Sequence, residues 1–249
     1  MAADNDHVMF LEAMIERHQE RLEDALSTLE NRIADLVATA PLQEGALFDL
    51  EWAVNARSEI RNVLREEYLV EIDSIVRDYR VALDDGYAML GTYGDFVELD
   101  ESIIAQLQKM TFQGFEDLGN EYLDVIAKQV YESTLAGATF ATSVEAVRQA
   151  VGGQMARYAK QQVHDSLMQF DASVNVAVGK ASGATKWKYV GSLVRDSRGH
   201  CIEHQNKVYT EDEINEIWAG DWAGKKSGNP FIVRGGYNCG HQWRPVFED

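Results

Sequence analysis

Basic charge, cysteine, proline and long apolar runs are all scarce in this 249-residue chain. It carries 23 Lys and Arg against 41 Asp and Glu, a formal charge of −18. Such a surface repels phosphate backbones and anionic lipid, so neither a DNA-coating role nor sequence-specific nucleic-acid binding is expected. No apolar run approaches the roughly 20 residues that cross a bilayer, and no Lys/Arg cluster followed by a short apolar stretch opens the chain. The expectation is a protein without membrane association, kept in a cytoplasm-like compartment. Two cysteines, Cys201 and Cys239, are too few for a disulfide scaffold. Pro41 is the only proline before Pro230, which leaves long stretches free to be helical.

What is present is unevenly distributed. Residues 1–174 hold 13 basic against 32 acidic side chains, a balance of −19, whereas residues 175–249 hold 10 against 9. Trp187, Trp218, Trp222 and Trp243 all lie beyond residue 175, with Trp52 alone before it. These shifts predict an α+β chain: an acidic, mainly α-helical arm or bundle over residues 1–174, followed by a small α+β module over 175–249.

In the first segment Val8, Ile15, Leu22, Leu29 and Leu36 recur every seven residues, while Leu11, Ala25, Leu26 and Ile33 broaden the stripe and His18 and Arg32 interrupt its companion seam. Both a helix packed within its own chain and self-association through residues 8–37 fit this pattern. Pro41 ends the helix. A second helix is predicted from Glu44 to Asp85, with Phe48, Trp52, Ile60, Leu64, Tyr68, Ile72 and Tyr79 on its apolar face, interrupted at Gly86, Gly91 and Gly94. A third runs from about Asp100 to Ser133. A Thr142/Glu145 capping box predicts another start, broken or kinked at Gly152-Gly153. The carboxylate pairs Glu12/Glu16, Glu66/Glu67 and Asp84/Asp85 read as solvated helix faces, and His7, His18 and His164 as isolated surface or partly packed residues.

The module reads as short strands around small helices: a strand at Lys186–Val190, a capping box from Thr210 to Glu213 opening a helix that stops at Gly220, a strand at Phe231–Val233, and a Gly235-Gly236 turn. A module of this size has a thin core and gains from a staple. Both cysteines and three of the six histidines fall between His200 and His241. Cys201-x2-His204 and Cys239-x-His241 together offer four thiolate and imidazole donors, the types zinc favours, and four protein ligands make a closed, structural site. The same residues also fit ordinary buried thiols, a His241 hydrogen-bonded to a carbonyl, or a disulfide formed in an oxidising medium. Arg195, Arg198, Arg234 and Arg244 flank the two half-sites. They either bind an acidic partner surface or phosphate, or pair with Glu203, Glu211, Glu216 or Glu248 to orient loops.

The ordered set Tyr189-x-Gly191-Ser192, Arg195-Asp196-Ser197-Arg198-x-His200-Cys201, Asn206-Lys207-Val208-Tyr209-Thr210-x-x-Glu213-Ile214 and Gly235-Gly236-Tyr237-Asn238-Cys239-Gly240-His241-x-Trp243 resembles the C-terminal domain of tailed-phage minor head proteins of the phage Mu F-like head-morphogenesis family. The preceding helix with His164, Leu167, Gln169, Phe170 and Asp171 extends the resemblance, while residues 1–140 match only in being helical. In the family pattern the first cysteine follows an Arg-Asp-aromatic stretch and the second sits in Gly-Gly-Tyr-Asn-Cys-Arg-His. Here His200 replaces the aromatic and Gly240 the arginine, and His204 is not carried over from the family.

The resemblance implies a virion component present in few copies, placed at the portal vertex or capsid interior after assembly in the host cytoplasm. Its implied partners are the portal protein or major capsid protein, its role head assembly or genome passage at ejection, and it implies no enzymatic activity. An acidic arm beside packaged DNA would avoid the genome and dock on a basic protein groove. Two other readings compete. One is a metal-dependent hydrolase or nuclease using the Cys/His cluster, for which the chain lacks the expected basic substrate surface. The other is an adaptor that oligomerises through its first helix.

Overall fold

The computed structural model describes residues 2–47, 49–92 and 95–247; Phe48, Gly94 and Glu248 lie outside the described residues. Six long or medium helices come first: α1 (Ala2–Ala38), α2 (Leu50–Leu64), α3 (Val70–Leu90), α4 (Glu101–Leu135), α5 (Phe140–Arg148) and α6 (Ala156–Ala181). A small hairpin, β1 (Leu42–Gln43) and β2 (Ala46–Leu47), lies between α1 and α2. The C-terminal part holds β3 (Lys186–Val190), α7 (Gly199–His204), β4 (Val208–Thr210), α8 (Glu211–Ala219), α9 (Pro230–Val233) and β5 (Gln242–Val246). The expected mainly helical region followed by an α+β module is what the chain forms.

The first helix buries Val8, Leu11, Ile15, Leu22, Leu26, Leu29, Ile33 and Val37. The buried stripe begins on the seven-residue seam and then leaves it, Val37 taking the place of Leu36, because a straight helix drifts relative to a strict heptad. Those apolar side chains are covered within the chain, as a bundle helix requires. His18, an apparent interruption, is buried with them. The second long helix starts later than its periodicity predicts. Glu44 and Gly45 adopt positive φ of 53° and 83°, the hairpin geometry that pairs β1 with β2. Asp49 then caps α2 by accepting from the Trp52 amide. Gly86 does not interrupt α3, which continues to Leu90. The Thr142/Glu145 capping box is also not used: Thr139, one turn earlier, accepts from the Thr142 amide and opens α5. At Gly152-Gly153 the chain widens into a π-helical stretch, Gln149–Met155, between α5 and α6.

Two compact units result, one formed by Met1–Glu16, Arg77–Lys109 and Val163–Asp249, the other by Arg17–Val76 and Met110–Gln162. This division differs from a cut at 174/175, which falls inside α6. In the second unit the Tyr68 hydroxyl donates to the Phe115 carbonyl at 3.3 Å, and Gly119 leaves the room for that ring, since a Cβ there would sit 3.0 Å from Tyr68 Cε1. Arg32 pairs with Glu66 and Glu67, so this carboxylate pair is engaged by an arginine.

In the first unit the sheet order is β4-β3-β5, all antiparallel. Trp187, Tyr189, Cys201, Ile214, Phe231, Cys239 and Trp243 form its core, with Val176 and Tyr209 against it. Gly179 of α6 is where helix and sheet meet: a Cβ there would lie 2.6 Å from the Trp187 ring and 2.8 Å from Pro245. Hence α6 belongs to the core of the α+β part. Phe231–Val233, expected as a strand, is the short helix α9. Asn229 accepts from the Phe231 amide and Pro230 occupies the first turn, a capping arrangement that overrides the β propensity of the three apolar residues. The Thr210/Glu213 capping box forms as predicted, and α8 ends at Gly220.

Candidate metal centre

The sheet sets the site's frame. Register Tyr189↔Trp243 and Val190↔Gln242 brings the residue before β5, His241, opposite Gly191. Gly191 sits at φ +153°, and a Cβ on it would be 2.8 Å from His241 Cα and Cγ, so both backbone conformation and space require glycine. The His241 ring stacks on Tyr189, centroids 5.0 Å apart and planes 9° apart. Helix α7 supplies Cys201 from the other side. Cys239 arrives through the Gly235-Gly236 turn, which is pinned twice: the Trp222 indole donates to the Gly235 carbonyl at 2.9 Å, and the Asn238 amide donates to Asp165 of α6 at 3.1 Å.

The two sulfurs lie 4.0 Å apart, and Cys239 Sγ is 3.9 Å from His241 Nδ1. One ligand atom from each of Cys201, Cys239 and His241 lies within 4.8 Å of the others. All three residues are buried. A tetrahedral ion with metal–sulfur bonds of about 2.3 Å and metal–nitrogen bonds of about 2.0 Å spaces its ligands by about 3.8 Å between sulfurs and about 3.5 Å from sulfur to nitrogen. The observed spacings sit close to these, whereas a disulfide needs about 2.05 Å. The group has the geometry and donor chemistry to hold a metal ion, and both cysteines are free thiols.

His204 does not join the group. Cys201-x2-His204 is a turn of α7 and not a loop, so His204 is carried to the helix end. There its Nδ1 lies 2.8 Å from the Tyr209 hydroxyl and its ring packs edge-on to His200. The expected four-ligand set is therefore three. Tyr189, which ligand spacing alone does not reveal, places its hydroxyl 3.6 Å from Cys201 Sγ and 3.5 Å from Cys239 Sγ. Gly235 makes the convergence possible, since a Cβ there would be 2.8 and 2.9 Å from the two sulfurs. Its amide also donates to Cys239 Sγ at 3.3 Å.

The electrostatics favour an anionic Cys239. A hydrogen bond from Cys201 holds it well below the usual thiol range against the opposing effect of burial, helped by His241 and Arg234. Cys201, the donor in that bond and itself buried, is pushed up. Burial, reinforced by the sulfurs, raises Tyr189 well above the usual phenol range. His200, buried and stacked on Trp222, is lowered to about 4 by burial and then by the neighbouring His204.

Of the four arginines expected to gather at a partner surface, two are core residues. Arg234 is 1% and Arg244 2% exposed. Arg234 donates to the carbonyls of Met168, Ile232 and Cys239. Arg244 pairs with Asp171 of α6 at 3.2 Å. Their contacts are internal, made with an α6 carboxylate and with carbonyls and not with the expected glutamates; Glu211 pairs instead with Lys180. Arg198 donates to the Tyr237 carbonyl, and Arg195 is exposed.

Behind the site lies a buried network. His7, expected as isolated, sits between two carboxylates, Nδ1 2.5 Å from Asp85 and Nε2 2.9 Å from Asp171. Asp171 also accepts from Asn175 at 3.0 Å. The His7/Asp85 pairing removes one member of the Asp84/Asp85 pair from a purely solvated role.

Cys201, Cys239 and His241 form part of the wall of a cavity of about 340 Å³, which Glu12, His164, Ser192 and Asp196 also line. No described helix is long and apolar enough to cross a membrane. No protein-family model matches the chain, and no curated protein or solved structure is significantly similar to it.

Proposed function

We propose that this chain is a structural minor head protein of a tailed bacteriophage, acting at the portal vertex or capsid interior in head assembly or genome passage, with the portal or major capsid protein as partner. One observation supports this reading. The residues that carry the resemblance, although spread from Tyr189 to Trp243, pack around the two sulfurs: Tyr189 reaches both, Gly235 lies under both, Gly191 backs His241, and Trp243 lies against Tyr189 with centroids 4.6 Å apart. A set of residues that converges in a core defines a fold. It accords with a recognition module that is inherited for its shape. In this reading Cys201, Cys239 and His241 hold a zinc ion that staples α7 to the segment before β5, and the protein has no catalytic turnover.

The test is to purify phage particles carrying this gene product and determine whether the chain is a low-copy virion protein with density at the entry vertex. Presence there at stoichiometric occupancy supports the proposal. A chain absent from finished and immature particles alike, or a purified chain that hydrolyses nucleic acid in a Cys239-dependent way, overturns it.

A further inference from the structure

Three protein ligands converge where a closed tetrahedral site needs four, and the location of the missing corner follows from what surrounds them. His204 is held by Tyr209. Glu12 and His164 line the adjoining cavity without joining the three-ligand group. His164 is engaged with Asp165, its Nδ1 3.2 Å from Oδ1. Tyr189 approaches both sulfurs but does not line the cavity. Cys201, Cys239 and His241 do line it, so the face of the group that meets solvent-sized space is the cavity face. That space, about 340 Å³ with carboxylate, imidazole and hydroxyl groups around it, is polar and large enough for water and for a small ligand beyond it. Structural zinc sites are closed by a fourth protein ligand, whereas three protein ligands beside a cavity leave a position for exchangeable donors.

We infer that the metal held by Cys201, Cys239 and His241 keeps its fourth coordination position open to this cavity, where water binds and exchanges for a small monodentate donor such as imidazole or azide. The inference rests on the metal reading given under Proposed function and departs from it in one respect: the ion is a staple with a vacant corner. A second structural detail accords with an ion whose protein shell is incomplete. His241 Nε2 is buried without a hydrogen-bond partner, so the imidazole lacks the carboxylate or carbonyl that normally fixes a closed site's histidine.

Cobalt(II) loaded into the full-length chain separates the outcomes. Elemental analysis should find one cobalt per chain, with a thiolate-to-cobalt charge-transfer band that Cys239→Ser abolishes. Adding azide or imidazole should then shift the visible d–d bands saturably. Glu12→Gln and His164→Ala, at the two cavity-lining side chains outside the three-ligand group, should leave the bands of the untreated protein unchanged. Bound cobalt whose bands ignore both ligands overturns the open position while leaving the metal reading intact. Bands altered by Glu12→Gln or His164→Ala name a fourth protein ligand and overturn it equally. Failure to bind cobalt or zinc removes the metal reading and this inference together.

Discussion

Cys201 Sγ and Cys239 Sγ lie 4.0 Å apart across 38 residues of sequence. Without an ion, one shared hydrogen bond joins the two sulfurs; with an ion, two metal–sulfur bonds would. A metal present at a hundred times its dissociation constant adds about 2.7 kcal/mol to the folded state. In a protein of this size that raises the melting midpoint by about 5–10 °C. Calorimetry with and without a strong chelator should show that difference in the wild type and none in Cys239→Ser. Equal midpoints for the wild type in both conditions would remove the staple.

Glycines near the sulfurs should respond to substitution in opposite ways. Gly235→Ala brings a methyl to within 2.8 and 2.9 Å of the two sulfurs and 3.0 Å of the Tyr189 hydroxyl. The sulfurs must part, so metal affinity should fall at least about tenfold and stability by about 1–3 kcal/mol. At Gly240 a Cβ meets only Glu12 Oε1 at 3.8 Å. Gly240→Arg, which restores the arginine of the family pattern, should fold within about 0.5 kcal/mol of the wild type. Metal titration and urea unfolding of the two variants check both statements, and a Gly240→Arg protein that fails to fold would count against the resemblance.

Much of the helical arm was legible because buried stripes at helical spacing leave a direct trace in sequence: Val8 to Ile33 and Ile60 to Tyr79 are examples. Starts and stops were legible where a side chain caps a backbone, as at Thr210/Glu213, and misread where two candidate caps compete, as Thr139 and Thr142 do. Three of the four expected ligands, Cys201, Cys239 and His241, do come together, and they were legible because soft donors are rare in this chain. His204 was misplaced because a x2 spacing looks alike in a loop and in a helical turn. Arg234 and Arg244 looked like surface charges because their partners, the Met168 carbonyl and Asp171, lie on α6, far away in sequence. Long-range polar pairing of this kind leaves no local periodicity to read.

Arg244 and Arg195 should therefore separate stability from recognition. Arg244→Ala removes the arginine paired with buried Asp171, and breaking one side of a buried pair costs about 3–5 kcal/mol. Arg195 is exposed, so Arg195→Ala should change stability by less than about 0.5 kcal/mol. If the arginines serve a partner surface, the Arg195→Ala protein keeps its fold and loses partner capture, a result that pull-down with portal or capsid protein would register. An Arg244→Ala variant as stable as the wild type would show that the core assignment is wrong.

The same pair fixes a pH dependence. Burial pushes the Asp171 carboxyl up, but the charges of Arg244 and His7, the hydrogen bond from His7 and the charge of Arg234 together outweigh it and hold the group at about 2 instead of 3.8. Asp85, on the other side of His7, and Asn175 complete the polar groups around it. Because the folded-state value is the lower one, the contribution is complete above the unfolded value near pH 4 and is lost as pH falls toward 2. Over that window it amounts to about 2 kcal/mol. Burial pushes the Asp165 carboxyl up, but His164, Lys226 and the Asn238 amide together outweigh it and hold the group below its usual value, so it adds to the acid slope. Asp171→Asn should thus be less stable than the wild type at neutral pH, where Arg244 is left unpaired, and should lose less stability on acidification. Urea midpoints measured between about pH 4 and pH 2 give the comparison. A variant whose acid slope equals that of the wild type would mean that the His7–Asp171–Arg244 network does not carry the charge balance of this unit.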